Sequence, residues 1–118
     1  MEYLALIYTD EKRWDEASDA ERAAGYEKYV EFANAARAAG VLVGGDELAA
    51  TRSATTVRIR DGEQLVTDGP YAEAKEALGG YFILDCASFD DAVDWAARIP
   101  AVETGAIEVR PVHVDPEA

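Results

Sequence analysis

One carboxylate in the sequence stands where it could either shape a turn or transfer a proton. Asp68 precedes Gly69 and Pro70, within a run that otherwise favours strands over residues 66–82. Asp-Gly-Pro is typical of turns, and an Asp just before a helix can cap that helix. Pro70 has no N–H to complete an Asx-turn with the carboxylate. A carboxyl group in a cleft shielded from water instead serves as general base or acid, and both interpretations stay open.

Three tyrosines and one arginine could form a substrate pocket with Asp68. Tyr29 lies on the apolar stripe of the first long predicted helix, where a core aromatic residue is the alternative interpretation. Its hydroxyl could meet Asp68 between that helix and a hairpin, and Tyr8 and Tyr71 could line the same pocket. Arg58 lies on a predicted strand, where it could hold an anionic ligand or form a cross-strand ion pair.

The other reactive side chains give weaker signals. The single histidine, His113, follows Pro111 near the chain end, and we expect it to be exposed. The single cysteine, Cys86, ends a dense apolar run, which favours inert, buried packing. The sequence has no histidine-rich metal motif, no calcium-loop spacing and no phosphate-binding glycine loop, so we expect neither a metal nor a cofactor.

Charge and length limit the class of protein. The 118 residues are the usual size of one domain, and we expect a single domain over residues 1–118. With 24 acidic and 11 basic residues the net charge is −13, which disfavours binding to nucleic acid and to anionic membranes. No apolar run approaches membrane-spanning length and no basic leader begins the chain, so we expect a cytoplasmic protein.

Hydrophobic periodicity predicts six strands and two main helices. The strands are expected at residues 2–8, 41–47, 54–60, 63–67, 80–86 and 106–112. A capping box at Ser18 and Glu21 begins a helix that ends before Gly40, and Ser88 begins a second helix that Pro100 ends. Residues 10–17 are expected to form a loop or short turn, and Pro70 suits the first position of a short helix.

The order of these elements predicts the fold class. Asp61-Gly62 is a strong signal for a two-residue hairpin between the third and fourth strands. Without that hairpin the order is β-α-β-β-α-β, which is typical of the ferredoxin-like α+β fold. Two helices cover one face of such a sheet, and the other face also needs cover. We therefore expect a homodimer.

The sequence resembles a known family over nearly its whole length. The resemblance rests on "YLALIYTDE", "AAGVLVGGDEL", "TTVRIRDGEQLVTDGPYAEAKEALGGYFILDC", "SFDDAVDWAARIP" and "AIEVRPV", in that order. These segments are similar to the YCII-related family, in the branch with an Asp-Gly-Pro-Phe motif, and "DGPYAEAKEALGGYF" is the most specific of them. Tyr71 stands where that branch has Phe, so the ring is kept and a hydroxyl is added.

The resemblance implies a ferredoxin-like βαββαβ fold of the dimeric α/β-barrel type, with an inserted β-hairpin. It also implies a small-molecule enzyme, since some relatives eliminate chloride from aromatic compounds. Those relatives pair a first-helix His with an Asp after the second strand. Tyr29 occupies the His position here, and Asp68 is the candidate for the Asp. The alternative is a non-catalytic ligand-binding or regulatory protein, because genes of this branch often neighbour sigma-factor genes.

Overall fold

Six β-strands and three α-helices follow one another along residues 1–116, the part of the chain that the computed structural model describes. The strands are β1 (Glu2–Thr9), β2 (Leu42–Glu47), β3 (Thr55–Arg60), β4 (Glu63–Asp68), β5 (Ala77–Asp85) and β6 (Ala106–Pro111). The helices are α1 (Glu11–Asp15), α2 (Asp19–Ala38) and α3 (Phe89–Ala96), and two 3-10 turns span Thr51–Ser53 and Pro100–Glu103.

Four of the strands form one antiparallel sheet in the order β2-β5-β1-β6. Strands β3 and β4 form a separate antiparallel hairpin, inserted between β2 and β5. The predicted α+β class is confirmed, and this arrangement is compatible with a ferredoxin-like fold. None of the helices within residues 1–116 is long and apolar enough to span a bilayer.

Local hydrogen bonds set both ends of α2 and the start of α3 where the sequence predicts them, whereas α3 ends at Ala96, four residues before Pro100. The Ser18 side chain accepts from the Glu21 N–H at 3.1 Å, and the Glu21 carboxylate accepts from the Ser18 N–H at 3.0 Å. This reciprocal capping box is worth about 1 kcal/mol to the start of α2. Gly40, with φ of 72°, reverses the chain after α2, and Ser88 caps α3 through the Asp91 N–H at 3.1 Å.

Two local predictions are wrong. Residues 10–17 were expected to form a loop or short turn, but the five-residue helix α1 forms there, capped by the Asp10 side chain, which accepts from the Lys12 N–H at 3.1 Å. Conversely, no helix follows Pro70. The chain turns at Gly69, whose φ is 105°, and runs irregularly to the start of β5 at Ala77, three residues before the predicted start.

The hydrophobic core lies between helices α2 and α3 and one face of the four-stranded sheet. Tyr3, Ala5 and Ile7 alternate along β1 and enter this core from the sheet side. Phe32 of α2 packs on Phe82 of β5 with ring centroids 5.0 Å apart. The core also contains Ala36, Leu84, Cys86, Ala92, Ala96, Ile99 and Ala101. The predicted burial of Cys86 is therefore confirmed.

The opposite face of the sheet has no helix over it. Leu4 and Leu6 of β1 lie opposite Ile83 and Tyr81 of β5, and none of these four belongs to the core cluster. We call this set the open face. The hairpin arm (β3 and β4, residues 55–68) makes no extensive contact with any other element. The molecule is accordingly thin, with principal extents of 50 × 48 × 17 Å.

Substituting Gly45 with alanine is expected to separate β2 from β5. A Cβ there would collide with the Tyr81 carbonyl oxygen and come within 2.7 Å of Phe82 Cδ1. We expect Gly45→Ala to lower the free energy of unfolding by about 2–3 kcal/mol, measured by urea titration. Gly44→Ala is the matched control, since nothing lies within 4 Å of its added Cβ. Equal effects of the two substitutions would contradict the steric argument.

Candidate functional site

Asp68 ends β4, and the turn that follows it is built without its side chain. The Gly69 N–H donates to the Ala54 carbonyl at 2.8 Å, and the Gly69 carbonyl accepts from the Thr56 hydroxyl at 2.8 Å. Within residues 1–116 the Asp68 carboxylate is exposed and has no hydrogen bond or ion pair. No helix follows for it to cap. The Asp68 carboxylate therefore neither bonds the turn nor caps a helix, the two structural roles that its sequence context suggested.

The strand register shows which face of the arm carries Asp68. Asp68 lies opposite Thr55, and Val66 lies opposite Val57. Residues directly opposite one another in an antiparallel pair share a face, and alternate residues along a strand share it too. The arm's apolar face thus consists of Thr55, Val57, Ile59, Gln64, Val66 and Asp68. Its three large apolar side chains are 56–73% exposed, so Asp68 stands at the end of an uncovered apolar stripe.

Arg58 and Tyr71 are brought together on the other face of the arm. The Arg58 guanidinium lies over the Tyr71 ring, 5.3 Å from its centroid. Tyr71 is otherwise 75% exposed, so this cation–π contact is worth about 0.5–1 kcal/mol. The contact holds the segment after Pro70 against the arm. By register Arg58 projects from the face opposite that of Asp68, because its partner is Leu65.

Tyr29 lies half-buried on α2 and packs toward Phe82, with ring centroids 6.4 Å apart. Burial raises the pKa of its hydroxyl. A hydrogen bond from the Ala101 backbone acts in the opposite direction, and the nearby Glu47 carboxylate raises the pKa further. Tyr29 therefore keeps its proton at neutral pH. These polar neighbours do not include Asp68.

Glu47 is the carboxylate that the fold brings to the first long helix. Its oxygens accept from the Tyr26 hydroxyl at 3.2 and 3.3 Å, and its charge also reaches Tyr29, one helical turn further along α2. Trp14 of α1 meets the Tyr26 ring edge-on, with centroids 5.1 Å apart. From the sequence, Glu47 was only the last residue of the predicted strand 41–47, and its contact with Tyr26 was not predicted. The signal in the sequence that could have identified it was an acidic residue at the end of the second predicted strand.

Tyr8 and an open cleft lie apart from these groups. Tyr8 is half-buried near the end of β1, opposite Leu78 and Ala106, next to a register shift. An open cleft of about 510 Å³ is lined by Asp10, Arg13, Ala74, Lys75, Glu76 and Thr104. None of the predicted pocket residues lines it. Within residues 1–116, Arg58 and Tyr71 contact one another, and no hydrogen bond, ion pair or ring contact joins the other predicted site residues.

The remaining reactive groups form no further site in the described chain. Burial raises the pKa of the Cys86 thiol, and the charges of Asp91 and Asp85 add to the effect, so the unreactive thiol form is favoured. His113 is exposed. Residues 1–116 contain no group of three or more His, Cys, Asp or Glu side chains arranged to hold a metal ion.

A protein family and a related protein both match this chain over nearly its whole length. A family model described as the YCII-related domain matches residues 1–114. An uncharacterized protein from Rhizobium meliloti (strain 1021) is 40% identical over 121 aligned positions. That alignment covers 95% of this chain and 92% of the relative, so the likeness extends over both proteins rather than over a shared fragment.

Removing the Asp68 carboxylate is expected to leave stability almost unchanged. Because the Thr56 hydroxyl, not Asp68, bonds the turn, Asp68→Ala should shift the free energy of unfolding by no more than about 0.5 kcal/mol. Thr56→Val, which loses a hydrogen bond, should cost about 1 kcal/mol. Thermal and urea unfolding of both variants test this. A larger loss in Asp68→Ala than in Thr56→Val would show that the carboxylate holds the turn.

Alkaline pH should reveal the raised pKa of Tyr29. Above pH of about 10 the unfolded chain loses the phenolic proton first, while the folded chain retains it. Folded protein then binds more protons, so stability falls as pH rises. Tyr29→Phe should reduce this slope in urea titrations between about pH 9 and 11.5. Tyr71→Phe, at an exposed ring, is the comparison variant, and equal slopes in wild type and Tyr29→Phe would contradict the assignment.

Proposed function

Since the chain belongs to the YCII-related family, we propose that it is a small-molecule enzyme that performs proton transfer in an elimination or isomerisation. Asp68 is the general base or acid of this proposal. We also propose that the chain belongs to the Asp-Gly-Pro-Phe branch of the family and that it is active as a homodimer. No cofactor is part of it, because a carboxylate can move a proton between carbon and oxygen atoms unaided.

The observation that carries the proposal is the free Asp68 carboxylate. The turn is held by the backbone of Gly69 and the Thr56 hydroxyl, and no helix needs a cap. A structural role for the Asp68 side chain therefore has no contact to support it. In an elimination, the carboxylate would take a proton from the substrate, whose electron pair forms a new double bond while the leaving group departs with its own pair.

Charged and aromatic groups beside the arm suggest the kind of substrate. Arg58 and Tyr71 contact one another on the face of the arm opposite Asp68, and they remain part of the proposal as groups beside the Asp-Gly-Pro turn that suit an aromatic compound with an anionic or phenolic oxygen. Tyr29 and Tyr8 remain part of the proposal as groups that orient substrate or stabilise charge. Tyr29 is suited to that task because it keeps its proton.

A non-catalytic ligand-binding or regulatory protein is the second candidate, and Tyr29 is the observation that favours it. The resemblance places a His at this position in relatives with His–Asp chemistry. A tyrosine with a raised pKa is a poor proton acceptor near neutral pH, although it is a good hydrogen-bond donor. A protein that only binds a ligand would need the Tyr29 hydroxyl as a hydrogen-bond donor and would not need proton transfer by a His–Asp pair. A functional link to a sigma factor belongs to this second candidate.

Substitution of Asp68 separates the two candidates. Wild type is incubated with chlorinated di- and trihydroxybenzenes, and chloride release is measured by ion chromatography. We expect Asp68→Asn to lower the rate about 10²- to 10⁴-fold, because it removes the acid–base group with little change of shape. Glu63→Gln, an exposed carboxylate on the same arm, should keep the full rate.

Two results would count against catalysis by Asp68. An unchanged rate in Asp68→Asn would remove its assigned role. Binding of these compounds without chloride release in wild type, detected by calorimetry, would favour the non-catalytic candidate.

A further inference from the structure

The open cleft lies at the end of the four-stranded sheet where β1 ends and where β5 and β6 begin. Its volume of about 510 Å³ is that of a cleft that holds a small organic molecule. Three separate parts of the chain line it, namely the start of α1, the segment before β5 and the residue after the second 3-10 turn. Four of the six lining side chains are charged, two of each sign, so the cleft is a point where charged groups converge.

The strand register brings two carboxylates together at this edge of the sheet. Thr9 pairs with Ala77 at the last position of the β1–β5 ladder, and Asp10 and Glu76 are the next residues beyond that pair, one from each strand. Asp10 stays in place because it caps α1. Neither carboxylate takes part in an ion pair within residues 1–116. Like charges opposite one another across two strands repel, so a cationic group between them would be stabilising.

Two cations line the same cleft. Arg13 lies on α1 and Lys75 lies on the segment before β5, and the ion pairs within residues 1–116 include neither of them. A guanidinium is planar and can bind a carboxylate through two parallel hydrogen bonds, whereas a lysine ammonium acts as a point charge. The whole chain has 24 acidic and 11 basic residues, but the lining has two of each. A carboxylate therefore meets less repulsion here than over the surface at large.

Packing and hydrogen bonds of the chain itself hold the walls of the cleft. The Glu11 carboxylate accepts from the N–H and the hydroxyl of Thr51, both at 2.8 Å, and so fixes α1 to the first 3-10 turn. On the other side, a Cβ at Gly105 would collide with the Tyr8 carbonyl oxygen. The absence of that Cβ lets Thr104 lie directly beside the end of β1. Because these walls are fixed, a ligand that binds between them has less ordering entropy to offset.

We propose that this cleft binds a small molecule of the α-amino acid class, which carries both a carboxylate and an ammonium group. Arg13 and Lys75 bind the carboxylate, and Asp10 and Glu76 bind the ammonium group. The Thr104 hydroxyl supplies a further hydrogen bond on the β6 side. This site goes beyond the proposed function, because none of the residues assigned to that function lines the cleft.

Isothermal titration calorimetry at low ionic strength tests the site, with the twenty standard amino acids as probes. We expect at least one of them to bind wild type with a Kd below about 1 mM. Arg13→Gln and Lys75→Gln should each weaken its binding at least about tenfold, because each removes a charge-assisted contact with the carboxylate. Lys12→Gln, at an exposed cation of the same helix that does not line the cleft, should leave the Kd unchanged.

The acidic half of the site has its own matched variants. Glu76→Gln should weaken binding of the same amino acid, whereas Glu73→Gln, at an exposed carboxylate that does not line the cleft, should not. Asp10→Asn should also weaken it, since asparagine can still cap α1 but lacks the charge. Circular dichroism of each variant checks that the fold is intact.

Analogues of the amino acid that binds test whether both of its charged groups are recognised. The analogue without the amino group and the analogue without the carboxylate should each bind at least about tenfold more weakly. Three results would each overturn the proposal: no binding of any of the twenty amino acids, equal binding of the deaminated analogue, or an unchanged Kd in both Arg13→Gln and Lys75→Gln.

Discussion

A four-stranded antiparallel sheet has two faces, and the helices of this chain cover only one of them. Strand β1 shows the consequence directly. Its odd positions, Tyr3, Ala5 and Ile7, are buried under the helices, yet its even positions, Leu4 and Leu6, are apolar as well. A strand with one solvated face alternates between apolar and polar residues, whereas a strand buried on both faces is apolar throughout. The middle of β1 therefore has the pattern of a strand that is apolar on both faces, and within residues 1–116 no helix covers its second face.

The elements that depend on local chemistry could be predicted from the sequence. The capping box at Ser18, the left-handed Gly40 and the Asp61-Gly62 turn, whose φ values are 51° and 79°, are each decided by a few adjacent residues. Helix α1 and the segment after Pro70 were mispredicted for one shared reason. In each segment the local preferences are weak, and particular contacts decide the structure. These are the Asp10 cap for α1, and the contacts of Gly69 and Arg58 for the segment after Pro70.

The candidate site was less predictable because its geometry depends on register. Asp68 and Arg58 lie close along the hairpin, but a period of two along each strand puts them on opposite faces. Glu47 was missed because only the pairing of β2 with β5 brings it toward Tyr26 and Tyr29. Conversely, the ambiguity at Asp68 between a turn and a chemical group could not be resolved by composition. It required knowing that Gly69 and Thr56 already bond the turn.

The overall charge of the chain bears on how the position of Asp68 is interpreted. In a chain with a net charge of −13, most acidic side chains serve solubility and are spread over exposed surface. Like charges repel, so a surface of such a protein that packs against another surface has to be poor in carboxylates. The arm's apolar face meets this requirement at five of its six positions and departs from it at Asp68 alone. A charge at the base of an otherwise neutral stripe weakens any contact made there. The side chain also supports no turn or cap within residues 1–116, so neither local hydrogen bonding nor packing accounts for a carboxylate at that position.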